Sequence, residues 1–211
     1  MARTAKPLDP AREEDLLIAA ARAFATAGYA GASLNTVIAE AGWAKSSFYH
    51  YFPDKRRLHD HVVDTLAARL VDGVQVPEPG VLSAARFWVA MAELLDGLGR
   101  TAARRPETWF LGEMFHRPVS DDDGRLQELR DRVDRWLRRA LVRGREVGVV
   151  RDDLPEELLI ELTLAVLQTL DRWAIRHRLH SPGGPGAPGA SLGILRDLIA
   201  KRRGGRSAPG S

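Results

Sequence analysis

A short segment, residues 42–58 (GWAKSSFYHYFPDKRRL), carries side chains whose chemistry suits contact with a nucleic acid. At about 100° of rotation per residue, a helix starting near residue 44 has an apolar side formed by Ala44, Phe48, Tyr51 and Phe52. The opposite side carries Lys45, Ser46, Tyr49 and His50, with Ser47 at its margin. This polar side offers hydrogen-bond donors and a fixed positive charge, the groups that contact base edges and phosphates in a DNA groove.

The residues just before this segment predict a second helix and a tight turn. Ser33 is a candidate N-cap, and an apolar stripe with i, i+3, i+4, i+7 spacing follows it at Leu34, Val37, Ile38 and Ala41. Gly42 comes next, where a helix that stops needs a residue tolerant of positive φ. A helix, a glycine turn and a second helix with a polar outer side predict a helix-turn-helix, whose second helix enters the major groove.

The order of these residues resembles the signature of the tetracycline-repressor (TetR) family. The resemblance covers roughly residues 10–60 and is carried by Ser33-Leu34, Val37-Ile38, Ala41-Gly42, Lys45, Phe48-Tyr49, Tyr51-Phe52, Lys55 and Leu58. It implies an all-α, homodimeric bacterial transcription regulator with an N-terminal three-helix DNA-binding domain. It also implies a C-terminal helical domain that binds an effector and forms the dimer.

The resemblance also implies which residues contact DNA. Lys45 and Tyr49 match the main polar contacts of the family, and Tyr51 and Lys55 match residues that hold the DNA backbone. The full set expected at the DNA is Trp43, Lys45, Ser46, Ser47, Tyr49, His50, Tyr51 and Lys55.

Three positions depart from the family pattern. Trp43 stands where a smaller aliphatic residue is usual, so it either fills the core between the helices or reaches the groove. Ala44 stands at the usual Ser/Thr capping position, and Ser46 replaces a frequent glycine. Phe48 and Phe52, in contrast, are expected in the core.

Composition agrees with a globular cytoplasmic protein. The chain has 211 residues, 45% of them hydrophobic and 28% charged, and no cysteine, which excludes disulfides and thiolate metal sites. No apolar run approaches the roughly 18 residues of a membrane span. Residues 1–70 hold nine Lys/Arg and eight Asp/Glu, so the positive charge is local, at Lys45, Lys55, Arg56 and Arg57. No metal or other cofactor is expected.

Apolar periodicity predicts helices along the whole chain, about nine in total, and no strands. After the predicted helix-turn-helix, helices are expected at about 55–71, 82–104, 106–117, 121–147, 155–173 and 192–199. The predicted organisation is an N-terminal arm (1–8), a DNA-binding domain (9–54), an effector-binding and dimerisation domain (55–203, with a connecting helix at 55–72) and a C-terminal tail (204–211).

Two groups of apolar residues are candidates for the functions of the second domain. A pocket for an apolar or aromatic effector is expected at Trp88, Met91, Trp109, Phe110, Met114, Phe115 and Trp136. The alternative that these residues are ordinary core stays open. A dimer interface is expected at Leu158, Leu162, Val166, Leu170, Trp173, Leu195, Leu198 and Ile199, on the last two helices.

Three functions compete at this stage. The first is a homodimeric repressor that a small-molecule effector releases from a palindromic operator. The second is a DNA-binding architectural or partner-binding protein of the same fold without a small ligand. The third, an enzyme, has no support from a nucleophile elbow, a phosphate loop, a dinucleotide glycine pattern or an H-E-x-x-H motif.

Overall fold

The computed structural model describes residues 10–117, 124–177 and 188–201, and these residues form an all-α fold. The described helices are α1 Pro10–Gly31, α2 Leu34–Glu40, α3 Lys45–Tyr51, α4 Lys55–Val71, α5 Ala84–Arg104, α6 Trp109–Phe115, α7 Gly124–Glu146, α8 Glu156–His177 and α9 Pro188–Ile199. Short 3-10 turns occur at Pro79–Val81 and Pro106–Thr108. None of the helices within these ranges is long and apolar enough to cross a membrane.

The helix boundaries follow local signals that the sequence carries. α4 and α5 end at or within a residue of the predicted positions, and α6 follows the 3-10 turn that Pro106 begins. The predicted loop at 181–191 was too long, because α9 already begins at Pro188, where the fixed φ of proline suits the first position of a helix. The predicted arm, the Asp121–Asp123 cap and the C-terminal tail lie outside the described residues.

The chain divides into two compact units. The N-terminal unit comprises the residues up to Leu70 together with Arg105–Leu129, and the C-terminal unit comprises Val71–Arg104 and the residues from Arg130 onward. The domain boundaries expected from the sequence remain predictions.

The N-terminal unit is built around the apolar sides of α1, α2, α3 and α4, joined by α6. Phe24, Phe48 and Leu66 are at most 1% exposed in this core, and Met114 of α6 is 2% exposed. The inclusion of α6 matters, because it brings a segment from the middle of the chain against the first helix.

Arg69 on α4 bridges two carboxylates on different elements of the N-terminal unit. Its guanidinium lies 2.5 Å from the Glu14 carboxylate of α1 and 3.0 Å from the Glu107 carboxylate, next to α6. The hydrogen bond from Arg69 holds the pKa of Glu14 below its ordinary value of 4.5, and burial opposes this effect. The bridge therefore ties α1, α4 and the start of the α6 segment together.

Arg117 makes the corresponding connection at the other end of α6. Its guanidinium donates hydrogen bonds of 3.1 Å to the carbonyl oxygens of Ala25 and Thr26 on α1. The guanidinium also lies beside Gly28, whose φ of 73° interrupts the helical backbone of α1. Charged groups thus fasten the α6 segment to α1 at both of its ends.

The C-terminal unit has its own core between α5, α7, α8 and α9. Phe87, Val150 and Leu159 are at most 2% exposed there, together with Ile199 at 4%. The chain after α7 pairs with the end of α9, because the backbone N–H of Arg151 donates to the Ile199 carbonyl at 2.8 Å. These contacts hold α9 within the C-terminal unit.

A close approach at Gly144 allows α7 to pack in this core. A β-carbon at this position would overlap Val150 Cγ2 and would lie 2.9 Å from Phe87 Cζ. The Gly144 carbonyl also accepts hydrogen bonds from the N–H groups of Val149 and Val150, at 2.9 Å and 3.0 Å. The turn that follows α7 and the core side chains therefore both contact Gly144, where there is no room for a side chain.

We expect Gly144→Ala to lower the free energy of unfolding by about 1–3 kcal/mol, because the added methyl group forces Phe87 or Val150 to move. Urea denaturation followed by circular dichroism measures the change. Gly193→Ala is the control, since nothing lies within 4 Å of its added β-carbon. That control should be neutral or stabilising by about 0.5 kcal/mol, and equal losses in both variants would contradict the packing argument.

We expect Arg69→Met to destabilise the protein by about 2 kcal/mol at neutral pH, because it leaves two neighbouring carboxylates without their shared partner. The folded-state pKa of Glu14 is lowered, so the ion pair stabilises above about pH 4.5 and its contribution is lost as the pH falls through the folded value. The loss measured by urea denaturation should therefore shrink from about pH 5 towards pH 3.

The control for this variant is Arg86→Met, which removes an exposed ion pair with Glu93. Such a pair contributes about 0–1 kcal/mol, so the control should lie close to the unsubstituted protein. A loss for Arg69→Met that stays constant over this pH range would show that the effect is steric and not electrostatic.

Candidate nucleic-acid interface

The helix-turn-helix forms at the predicted residues. The Ser33 hydroxyl accepts a hydrogen bond from the Thr36 N–H at 3.4 Å, which confirms the predicted N-cap of α2. Gly42 has a φ of 66°, and the Trp43 N–H donates to the Ile38 carbonyl at 2.9 Å, which closes the turn. Ala44 provides no side-chain cap for α3, as its residue type predicts.

α3 exposes the polar side that the sequence predicts. Phe48 is 0% exposed and fixes the helix to the core of the N-terminal unit. The side chains that face away from this core are all exposed. They are Lys45, Ser46, Ser47, Tyr49 and His50, and Tyr49 is 48% exposed. Five of the eight residues expected at the DNA therefore form one accessible surface, which we call the α3 face.

The prediction that Trp43 contacts DNA is wrong. Its side chain is 8% exposed, and its indole N–H donates a 3.0 Å hydrogen bond to the Arg12 carbonyl on α1. The Arg12 guanidinium lies over the Trp43 ring at 5.7 Å and donates to the Gly42 carbonyl at 3.4 Å. Trp43 therefore fills the core between the helices and does not reach the groove, and its contacts with Arg12 stabilise the turn.

The start of α4 places basic side chains beside the end of α1. The Asp54 carboxylate accepts a 2.8 Å hydrogen bond from the Arg57 N–H, which confirms the predicted cap of α4. Lys55 Nζ donates to the Ala30 carbonyl at 3.0 Å and lies 5.0 Å from the centre of the Tyr29 ring. The Arg56 guanidinium is 5.5 Å from the same ring, so one aromatic ring orients two cations.

Tyr51 and His59 pack on the inner side of the candidate interface. Tyr51 is partly buried, and its ring meets the Trp43 ring edge-on at 5.9 Å. His59 is 2% exposed, with its ring edge-on to Phe24 at 4.8 Å and to Tyr29 at 5.2 Å. His59 therefore packs as an aromatic core residue. The roles of Arg12 and Tyr29 were not predicted, because their partners lie about 26–31 residues away in the chain.

The seven residues expected around an effector are divided between the two units. Trp109, Phe110, Met114 and Phe115 belong to the N-terminal unit, where the last three contribute to the core or pack against it. Trp88, Met91 and Trp136 belong to the C-terminal unit, where the first two pack against its core. The core alternative therefore describes most of these side chains in this structure.

The residues expected at the dimer interface also separate into two groups. Leu158 and Leu162 of α8 are 42% and 37% exposed, and Val166, Leu170 and Trp173 of the same helix are partly exposed. Leu195 and Ile199, however, are 5% and 4% exposed, and Leu198 packs against the core of the C-terminal unit. Of the residues expected at the interface, the accessible ones therefore lie on α8, and Ile194 of α9 is also exposed, at 47%.

Comparison with known proteins supplies the family. A profile described as "Bacterial regulatory proteins, tetR family" matches residues 16–62. The HTH-type transcriptional repressor AcnR of Corynebacterium diphtheriae is 30% identical over 152 residues, which are 70% of this chain and 73% of AcnR. The HTH-type transcriptional repressor DhaR of a Mycobacterium species is 27% identical over 179 residues, 80% of this chain and 81% of DhaR.

Solved structures agree at the level of the fold. A TetR family transcriptional regulator from Chloroflexus aurantiacus has a TM-score of 0.66 at 18% identity, covering 92% of this chain and 96% of that protein. A TetR-like transcriptional regulator from a Rhodococcus species has a TM-score of 0.64 at 17% identity, with 92% and 96% covered. Both curated relatives are named as repressors, which confirms the prediction of a regulator and not an enzyme. The chain therefore belongs to the TetR family and is a DNA-binding transcriptional regulator.

Proposed function

We propose that this protein is a homodimeric repressor that binds a palindromic operator through the α3 face and is released by a small-molecule effector. The observation that carries the proposal is the contrast on α3 between the fully buried Phe48 and the exposed polar residues around it. A helix fixed on one side and donor-rich on the other can insert into the major groove without rearrangement.

The proposed base contacts come from the middle of the α3 face. Lys45 and Tyr49 are one helical turn apart, and both are exposed, so they reach neighbouring positions in the groove. Ser46, Ser47 and His50 add donors and acceptors at the rim of the same surface.

The proposed phosphate contacts come from the start of α4 and from Tyr51. The Lys55 ammonium group has three N–H donors, of which one donates to the Ala30 carbonyl, so the other two are available to a phosphate. The N–H groups at the start of α4 add a partial positive charge at the same place. Tyr29 supports this arrangement by holding Lys55 and Arg56 over its ring.

The proposed dimer uses the exposed side of α8. Leu158, Leu162 and Val166 recur every four residues, so they form one apolar stripe along the helix. A second copy of this stripe would bury it in an isologous interface. Two copies would then present two α3 faces to half-sites about one DNA turn, roughly 34 Å, apart.

Release by an effector is the part of the proposal that rests on family resemblance. The mechanism requires two states of the dimer with different half-site spacing, of which the effector binds one more tightly. An apolar or aromatic molecule was expected from the aromatic residues of the sequence, of which Trp136 lines a cleft in the C-terminal unit.

We expect the double variant Lys45→Ala, Tyr49→Ala to lose at least about 30-fold in affinity for operator DNA, because it removes two base-edge contacts of about 1–3 kcal/mol each. The assay is fluorescence anisotropy with the intergenic DNA that flanks the gene, at two salt concentrations. Nuclease footprinting of the unsubstituted protein should show a protected palindrome, and anisotropy should show weaker binding at the higher salt concentration.

Arg100→Ala is the control for this variant, because it removes one exposed positive charge from the C-terminal unit. It should bind the operator almost normally. Unchanged binding by the double variant would exclude the α3 face. Weak binding of the unsubstituted protein, equal on all sequences, would instead favour the architectural alternative.

We expect Leu158→Glu with Leu162→Glu to produce monomers, because two charges in an apolar interface would lose their hydration. Light scattering measures the mass, and the operator affinity should fall with it. The control is Val81→Glu with Val89→Glu, at side chains that are 78% and 43% exposed in the same unit. A dimer in the α8 variant would place the interface elsewhere on the subunit.

A further inference from the structure

A small open cleft on the C-terminal unit combines positive charge with an aromatic wall. Its volume is about 240 Å³, and it is lined by Arg132, Arg135, Trp136 and Arg139. These residues follow i, i+3, i+4, i+7 spacing, so α7 alone places all four on one side of the helix. The cleft has room for a small molecule.

The two arginines at one end of this cleft differ from their neighbours on α7. Arg138 pairs with Asp134 at 2.7 Å, Arg139 with Glu78 at 2.8 Å and Arg143 with Glu146 at 2.9 Å. Arg132 and Arg135 have no carboxylate partner among the residues that the structure describes. Two like charges one turn apart repel each other, and an anion between them would relieve the repulsion.

The aromatic wall of the cleft is held in place before any ligand arrives. The Trp136 indole N–H donates a 2.8 Å hydrogen bond to the Pro77 carbonyl, which restricts rotation of the ring. The Arg139 guanidinium donates to both oxygens of the neighbouring Glu78 carboxylate, at 2.8 Å and 2.9 Å. A wall that is already ordered costs less conformational entropy on binding.

We infer that this cleft binds a small organic anion of the aromatic carboxylate class. The carboxylate lies between the Arg132 and Arg135 guanidiniums, whose planar donors match its two oxygens. The flat apolar body packs against the Trp136 ring. Inorganic phosphate would satisfy the charges and leave the aromatic wall unused, so it should bind more weakly than an aromatic acid.

The test is isothermal titration calorimetry on the full chain without DNA, using benzoate, benzamide and inorganic phosphate as probes. We expect benzoate to bind once per chain with a Kd of about 1 mM, which corresponds to about −4.1 kcal/mol. Benzamide has the same shape without the charge and should bind at least about tenfold more weakly. Phosphate should also bind at least about tenfold more weakly than benzoate.

Paired variants locate the site. Arg132→Gln with Arg135→Gln should weaken benzoate binding at least about tenfold, since both charge-assisted hydrogen bonds are lost. Arg86→Gln with Arg100→Gln removes the same charge from exposed positions of the same unit and should leave the benzoate Kd unchanged. Circular dichroism spectra of both variants should match that of the unsubstituted protein.

Several outcomes would overturn the inference. They are an absence of benzoate binding at tens of millimolar, equal binding of benzoate and benzamide, equal binding of benzoate and phosphate, and equal losses in the two paired variants. Because DNA is absent from these titrations, their result does not depend on the proposed operator binding, and a failure of that proposal would be seen only in the anisotropy assay.

Discussion

The burial of Phe48 is the constraint on which the candidate interface depends. α3 is only seven residues long and has no side-chain N-cap, so it could not persist as an isolated helix. Complete burial of a phenylalanine contributes roughly 2–3 kcal/mol, and Phe52 packs beside it at 5.7 Å between ring centres. The exposed polar side of α3 is therefore positioned by its apolar side, and any change that loosens the core around Phe48 also displaces Lys45 and Tyr49.

A second set of interactions joins the α6 segment to this core. Glu107, at the start of the segment, shares Arg69 with Glu14, and Arg117, at its end, donates to carbonyls of α1. Because α1 also contacts the turn through Arg12 and Trp43, one helix connects the α6 segment to the base of α3. A displacement of α6 relative to α1 would therefore have to stretch charged hydrogen bonds at one or both ends.

Local signals explain which features were predictable. The Ser33 cap, the positive φ of Gly42, the Asp54 cap and the buried Phe48 each depend on residue type and spacing within a few positions. Trp43 and Arg69 were not predictable in the same way, because acceptors 31 to 55 residues away decide their positions. The prediction that Leu195 and Ile199 lie at a dimer interface was wrong for another reason. An apolar stripe has the same spacing whether it faces the core of its own chain or a partner.

In the proposed dimer, the exposed stripe on α8 would act together with the α3 face, because a single chain can reach only a limited affinity for DNA. A seven-residue reader helix contacts few base pairs, so a monomer would gain little over its non-specific binding. Linking two readers makes the second contact intramolecular and can raise affinity by 10²–10⁴ without a new contact. Leu158 and Leu162 are exposed apolar side chains, and in the proposed dimer the association that buries them would also supply the second half-site.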